Sequence, residues 1–379
     1  AFNRWQNPPV PYYMKFYIFE VTNGREFQNG GKAKLTERGP YVFRVVKKKK
    51  IVKISNDGAN IEYQEFKSYH FVPELSKGKL DDKITFINIP AISAAKEVQK
   101  KSFLSQIALS GIFRQLNEKV VERKTVQQIL FSGYEVVFIK RVKRLGSIFG
   151  MPVDSPLPDD TFGLFYRVKE DVSYKKCTNA DNYRKIVQLT RKIVWTISCT
   201  KLIAENSMLT INLNFWNGKY CNMLNGTDGT QFHPSISSSE TLYTFAIDIC
   251  RSIYFESVGT VDVKGINLLR FRPAARSNNG PHKEPSNKCF CVKPKSEEAH
   301  CQVDGILEIS TCKNGAPIAI TAPHFYKVDP RIAKLVNGLS PNQKFHETFI
   351  DIEPNTGLAM NAAKRIQVNV ETQNYRNIR

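Results

Sequence analysis

The chain has 379 residues, 41% hydrophobic and 11% aromatic, with a formal net charge of +20 at neutral pH. That length can bury a large core as one big domain or two to three ordinary ones, and the composition excludes a disordered chain. No apolar run approaches the roughly 20 residues that cross a bilayer. No RNA-binding aromatic signature, zinc-finger spacing or basic heptad accompanies the charge, which argues against nucleic acid as a partner.

The chain opens without an initiator Met or a charged-then-apolar leader, which predicts a processed or excised piece. Residues 10–90 read as strands. "YYMKFYIFEV" at 12–21 is aromatic and β-branched, Asn23-Gly24 turns the chain, and Gly39-Pro40 starts a new strand. The run Lys47–Lys50 reads as the solvated, exposed end of a β-hairpin, and Asn56-Asp57-Gly58 marks a hairpin turn.

The character changes at 91. Leu104, Ile107, Ala108, Gly111, Ile112 and Leu116 recur at helical spacing on one face, with Lys100, Lys101, Arg114 and Lys119 mostly off that stripe. Thr125 and Gln128 match a capping box that starts a second, short helix ending near Ser132-Gly133. Over 91–133 basic residues outnumber acidic ones by seven to three, so this helical insertion is read either as a packing element or as a basic recognition surface. "YEVVFIKRV" at 134–142 is too short and too charged to span a membrane, and "DSPLPDD" at 154–160 is a loop. Residues 272–288 form a long polar connector. The rest reads as short strands with turns, without repeats.

All eight cysteines lie in the second part of the chain: Cys177, Cys199, Cys221, Cys250, Cys289, Cys291, Cys301 and Cys312. An even, crowded set predicts a disulfide framework with roughly 100 conceivable pairings. Zinc is the rival reading, but the one-residue gap of "CFC" at 289–291 suits a tetrahedral ion poorly, and no metal or other cofactor is expected. Disulfides imply an oxidising compartment. The sequon Asn225-Gly226-Thr227, an acceptor used in the secretory pathway, agrees.

Several stretches together resemble the class B scavenger receptor family, the group that includes the fatty-acid translocase, the lysosomal integral membrane protein and the insect sensory neuron membrane proteins. They are "WQNPPVPYYMKFYIFEVTN" at 5–23, "ERGPYVFRV" at 37–45, "GLFY" at 163–166, "CNMLNGTDG" at 221–229 and "DICRSIY" at 248–254. "CFC", "CKNGAPI" at 312–318, "PHFY" at 323–326, "GLSPNQKFHETFIDIEPNTG" at 338–357 and "AAKRIQVNV" at 362–370 continue the order along nearly the whole chain. "FHP", "CKNGAPI", "PHFY" and "HETF" look closest to the lysosomal member, whereas Cys-x-Cys resembles the cell-surface and insect members.

The resemblance implies an α+β fold. A large antiparallel β-barrel-like core would carry a helical bundle at its membrane-distal apex, about 91–133, and an internal lipid tunnel. Residues 1–379 would be a single ectodomain, with a disulfide-rich part at 221–312, normally held between two membrane spans that are absent here. It further implies disulfides Cys221 with Cys289, Cys250 with Cys312 and Cys291 with Cys301, and glycosylation at Asn225. The unmatched stretch at 191–211 is either a lineage insertion or a translated intron. If it is genuine, Cys177 and Cys199 are candidates for a fourth bridge.

The leading expectation is a receptor that binds and transfers lipids: fatty acids, lipoprotein lipids or anionic phospholipids. Lys100, Lys101, Arg114 and Lys119 would form a ligand-binding apex that attracts anionic lipids, lipoproteins or an acidic protein. The ectodomain would face the extracellular side of the plasma membrane. The alternative is a lysosomal membrane receptor with a lumenal ectodomain that sorts an acid hydrolase through the apex helices, where His70, His233, His282, His300, His324 or His346 could sense acid pH. The enzyme reading is weakest: HExxH, GxSxG and a phosphate-cradling glycine loop are all missing, and "HETF" lacks a second zinc-binding histidine. Asp351 and Glu353, two apart on a strand, read as structural.

Overall fold

The computed structural model describes residues 6–7, 11–54, 60–148, 153–166, 173–177, 189–191, 215–246, 248–292, 301 and 303–378. The Asn56-Asp57-Gly58 turn, His300, Cys199 and nearly all of 191–211 lie outside them, as does the side chain of Cys177.

The fold is mixed helix and strand, with several sheets. In the largest, β1 (Tyr12–Val21), β2 (Ala33–Ile54), β3 (Asn60–Phe71), β8 (Ser173–Cys177) and β9 (Leu189–Arg191) lie side by side, and β15 (Val336–Asn337) pairs with β2 in parallel. A second sheet runs in the order β10 (Leu242–Ala246), β11 (Arg251–Val263), β12 (Ile266–Pro273), β16 (Phe349–Glu353), β17 (Leu358–Ala363). A third joins β13 (Leu307–Glu308), β14 (Ile318–Thr321) and β18 (Gln367–Val370). Two small ribbons complete the described set: β4 (Lys83–Ile87) with β5 (Val121–Thr125), and β6 (Tyr134–Glu135) with β7 (Thr161–Phe162).

Two sequence expectations are corrected in the large sheet. Gly39-Pro40 does not start a strand, because β2 runs through it. The register against β1 slips there, between Phe16 and Ile18. Gly39 has φ +115, and a Cβ at that position would lie 2.7 Å from the Phe16 carbonyl oxygen, so only glycine lets the two strands stay this close. The Lys47–Lys50 run is not a hairpin end. It lies in mid-strand opposite residues 64–67 of β3, and its side chains alternate between the faces. Lys49 is therefore only 8% exposed, with Nζ 5.9 Å from the centre of the Tyr63 ring. Its aliphatic stem fits the inner face, and the ring quadrupole favours the cation.

The helical region is also built differently. It contains α1 (Ile89–Gln99) and α2 (Phe103–Leu116), then strand β5, then a single π-type turn over Gln128–Ser132. A further helix, α3 (Val137–Ile148), occupies a stretch expected to be strands and turns. Phe138, Ile139 and Val142 stand at i, i+1 and i+4 and pack on the core, a helical spacing that the β-branched residues around them disguise. That core gathers Tyr41 and Phe43 of β2, Ile84 and Phe86 of β4, and Leu109, Ile112 and Phe113 of α2, together with Leu130 and Phe138. A separate core of Phe232, Phe255, Phe271, Ile309, Ile350 and Ile352 lies under the second sheet.

Candidate functional site

The helical cap is held at its ends by local chemistry. Asn88 caps α1, its Oδ1 accepting the Ala91 N–H at 3.1 Å while its Nδ2 donates to Glu118 and to the Lys119 carbonyl. Ser102 caps α2, which ends at Asn117 in the left-handed region. The expected capping box is present in full. The Thr125 N–H donates to Gln128 Oε1 at 3.1 Å, and the Gln128 N–H donates to Thr125 Oγ1 at 3.2 Å.

On α2 the buried side chains are Leu109, Ser110, Ile112 and Phe113, so the helix is turned relative to the expected stripe. Ile112 is buried and Leu116 packs on the core, but Leu104 is 76% exposed and Ile107 is 47% exposed, with Phe103 beside them. The expected cations Lys100, Lys101, Arg114 and Lys119 are all exposed. Two of them share one carboxylate: Glu97 lies 3.1 Å from Lys100 and 3.9 Å from Lys101. The sequence reading missed the second basic helix. On α3, Lys140 pairs with Glu135 and Lys143 with Asp160, each at 2.6 Å, while Arg141 and Arg144 face solvent near exposed Leu145 and Ile148. The signal was there in "VFIKRVKRLGSI", read as a failed membrane span rather than as a basic amphipathic helix.

Beneath the cap, aromatic rings converge from three strands and two turns. Phe16, Phe43, Phe71, Tyr69, Phe131 and Phe165 form a continuous cluster with centroid distances of 4.8–6.0 Å. Phe43 is fully buried, but the other five are only half-buried although they pack on one another. Close by, Tyr134 donates to Glu122, and burial raises both groups above their ordinary pKa values.

Charged groups concentrate along β12 and β16. Asp351, fully buried, accepts from Arg270 Nε at 2.7 Å and Nη2 at 2.8 Å, and from Asn361 at 2.7 Å. Glu353 instead fastens the following turn through the N–H groups of Asn355 and Thr356. Glu347 takes Arg272 at 3.0 Å and Lys327 at 2.6 Å. These carboxylates are occupied by structural partners, as expected for Asp351 and Glu353. His324 and His346 stack with centroids 4.4 Å apart, and His324 Nε2 lies 2.7 Å from Glu37. His233 pairs with Glu240, His282 lies 3.6 Å from Asp304, and His70 contacts Ser68. Among the described residues no group of three His, Cys, Asp or Glu side chains could hold a metal ion, and no helix is long and apolar enough to cross a membrane.

The thiols of "CFC" go to different partners. Cys221 is bonded to Cys289, Cys250 to Cys312 and Cys291 to Cys301, the same pairs that the resemblance implies. Around them pack Trp216 and Phe290, and the Arg251 guanidinium lies 3.5 Å from the Phe290 ring centre, its pKa lowered by burial to about 10. Asn225 is half-buried on the adjoining turn. There Gly226 has φ +84, and a Cβ would fall 1.9 Å from the Tyr243 carbonyl oxygen, so the middle residue of the sequon must be glycine.

A family model described as the CD36 family matches residues 1–379. Human "Lysosome membrane protein 2" is 35% identical over 378 residues, covering 98% of this chain and 71% of its own length. "Scavenger receptor class B member 1" of Sus scrofa is 30% identical over 383 residues, covering 100% of this chain and 69% of its own. The same receptor of Cricetulus griseus is 31% identical over 373 residues, with 98% and 67% covered.

Proposed function

The chain belongs to the CD36 family, and from that premise we propose that residues 1–379 form a single ectodomain that binds lipids and passes them through a tunnel in a β-barrel-like core. It is a scavenger-receptor-like membrane protein, and the family's members are receptors rather than enzymes. The disulfides and the sequon support an ectodomain on the non-cytosolic side, and the relatives point to the plasma membrane or to the lysosomal membrane with a lumenal face.

The observation that carries the lipid reading is the half-buried aromatic cluster of Phe16, Tyr69, Phe71, Phe131 and Phe165. A closed core hides its rings, as the neighbouring Tyr41 and Phe43 are hidden. A half-buried, mutually packed set keeps apolar surface available to an acyl chain, and each methylene it buries contributes about 0.8 kcal/mol. Exposed Lys100 and Lys101 between α1 and α2, Arg114 on α2, and Arg141 and Arg144 on α3 would draw anionic lipids or lipoproteins toward the cap over about 8 Å at physiological salt.

Native mass spectrometry of the purified ectodomain tests this: bound lipid is expected, together with loss of fluorescent fatty-acid binding in Phe131→Asp at unchanged circular dichroism. A protein that carries no lipid and binds none sinks the reading. One further observation favours the second function, sorting of an acid hydrolase. Phe103, Leu104 and Ile107 form an exposed apolar strip on α2, and such a strip suits a protein partner. Pull-downs at pH 7 and pH 5 with Leu104→Asp as control separate the two. Hydrolase capture lost in that variant favours sorting, whereas lipid alone favours transfer.

A further inference from the structure

The β4–β5 ribbon and the turn that follows it border an open cavity of about 730 Å³, and among the described residues no acidic, aliphatic or aromatic residue lines it. Its lining includes Lys83, Arg123, Lys124, Thr125, Gln127 and Ser132, together with Gln128. The register explains the charge. Lys83 faces Thr125 and Thr85 faces Arg123, so Lys83 and Arg123 stand as diagonal neighbours on one face of the ribbon. Among the described residues no acidic side chain forms an ion pair with either, whereas Lys124 is held by Glu122 at 3.7 Å and lies over the Tyr134 ring. Two like charges at this spacing repel each other, and a bound anion between them would relieve that repulsion.

We propose that this cavity is a binding site for an anionic saccharide, a sugar carrying a sulfate or phosphate ester. Lys83 and Arg123 engage the ester. Arg123 offers a planar fork suited to tetrahedral oxyanions, and Lys83 adds a mobile point charge. The neutral walls match the rest of such a ligand. Gln127, Gln128 and Ser132 bring amides and a hydroxyl that both donate and accept, as sugar hydroxyls require. Gln128 Oε1 is committed to Thr125 in the capping box, so its amide contributes donors rather than an acceptor. The volume falls within the roughly 300–1,000 Å³ typical of small-ligand pockets. A lipid head with its acyl chain fits less well, because among the described residues no aliphatic or aromatic residue lines the walls.

No residue that lines this site belongs to the aromatic cluster or to the Lys100 and Lys101 pair, so its test does not depend on lipid binding. Calorimetry would titrate the ectodomain with a fully sulfated heparin tetrasaccharide, its desulfated counterpart and mannose 6-phosphate, at low and high salt. Lys83→Glu/Arg123→Glu should weaken binding of the sulfated or phosphorylated sugar by about tenfold or more, while Lys264→Glu/Lys334→Glu, the same charge change at exposed positions elsewhere, leaves it unchanged. The arm that binds identifies the ester, and the desulfated sugar should not bind. The proposal is overturned if neither ester-bearing sugar binds, if both bind the double variant as well as they bind the wild type, or if only phosphatidylserine vesicles respond to the substitution. Circular dichroism and an unchanged denaturant midpoint confirm that the variant is folded.

Discussion

His346 lies nearly parallel to His324, with the planes 11° apart, and both rings have one nitrogen fixed by a backbone donor. The Ser340 N–H donates to His324 Nδ1 and the Asn342 N–H to His346 Nδ1, so in the neutral rings the proton sits on Nε2, which in His324 faces Glu37. Burial first, then the neighbouring His324 and Arg365, hold His346 below its ordinary pKa, and Glu37 opposes them. The unfolded chain therefore binds a proton at His346 more readily than the fold does. The resulting stability is fully present above the ordinary value of about 6.5 and is lost as pH falls through the lower folded value. Denaturant midpoints measured from pH 7.5 down to pH 5 should fall on this account, and His346→Gln should flatten that fall. An unchanged slope in the variant assigns the acid sensitivity elsewhere. None of this pairing was legible in "PHFY" and "HETF", because it depends on the chain doubling back between them to bring the two rings together.

At the scale of the helix, α2 shows why periodicity alone misassigned a face. "FLSQIALSGIFRQL" carries two apolar stripes that share Ile112 and Leu116: one runs through Leu104 and Ile107, the other through Leu109 and Phe113. The choice is made by partners outside the helix, chiefly Phe138 of α3, whose ring meets Phe113 edge-on at 5.1 Å. The capping box at Thr125 was legible because every atom in it is local. The burial of Lys49 was not, because it rests on pairing with β3. The two stripes should part company on mutation. Leu109→Ala removes buried methyl groups from the core and should cost about 2–5 kcal/mol. Leu104→Ser and Ile107→Ser should shift stability by less than about 0.5 kcal/mol, since their side chains are already in water. Equal losses from both stripes in urea titrations would return the expected face to the core.

Across the whole molecule, the large sheet, the helical cap and the aromatic cluster hold together by burial, whereas the part around 215–312 leans on covalent links. Spacing left roughly 100 pairings open, and it is the folded chain that brings each partner within reach. Cys221 and Cys289 are 68 residues apart, Cys250 and Cys312 are 62 apart, and Cys291 and Cys301 only 10. If a bridge acts mainly by removing freedom from the unfolded chain, loop length sets its worth: about 4 kcal/mol for each long loop and about 3 kcal/mol for the short one. The first two also bound the small core of Trp216 and Phe290, so opening either exposes apolar surface that the short loop does not guard. Paired serine substitutions should therefore rank as Cys250→Ser/Cys312→Ser and Cys221→Ser/Cys289→Ser alike, with Cys291→Ser/Cys301→Ser milder in denaturant midpoint. If the short-loop pair proves the most damaging, loop entropy is not what these bridges supply, and the Cys-x-Cys segment itself must be the element they fix.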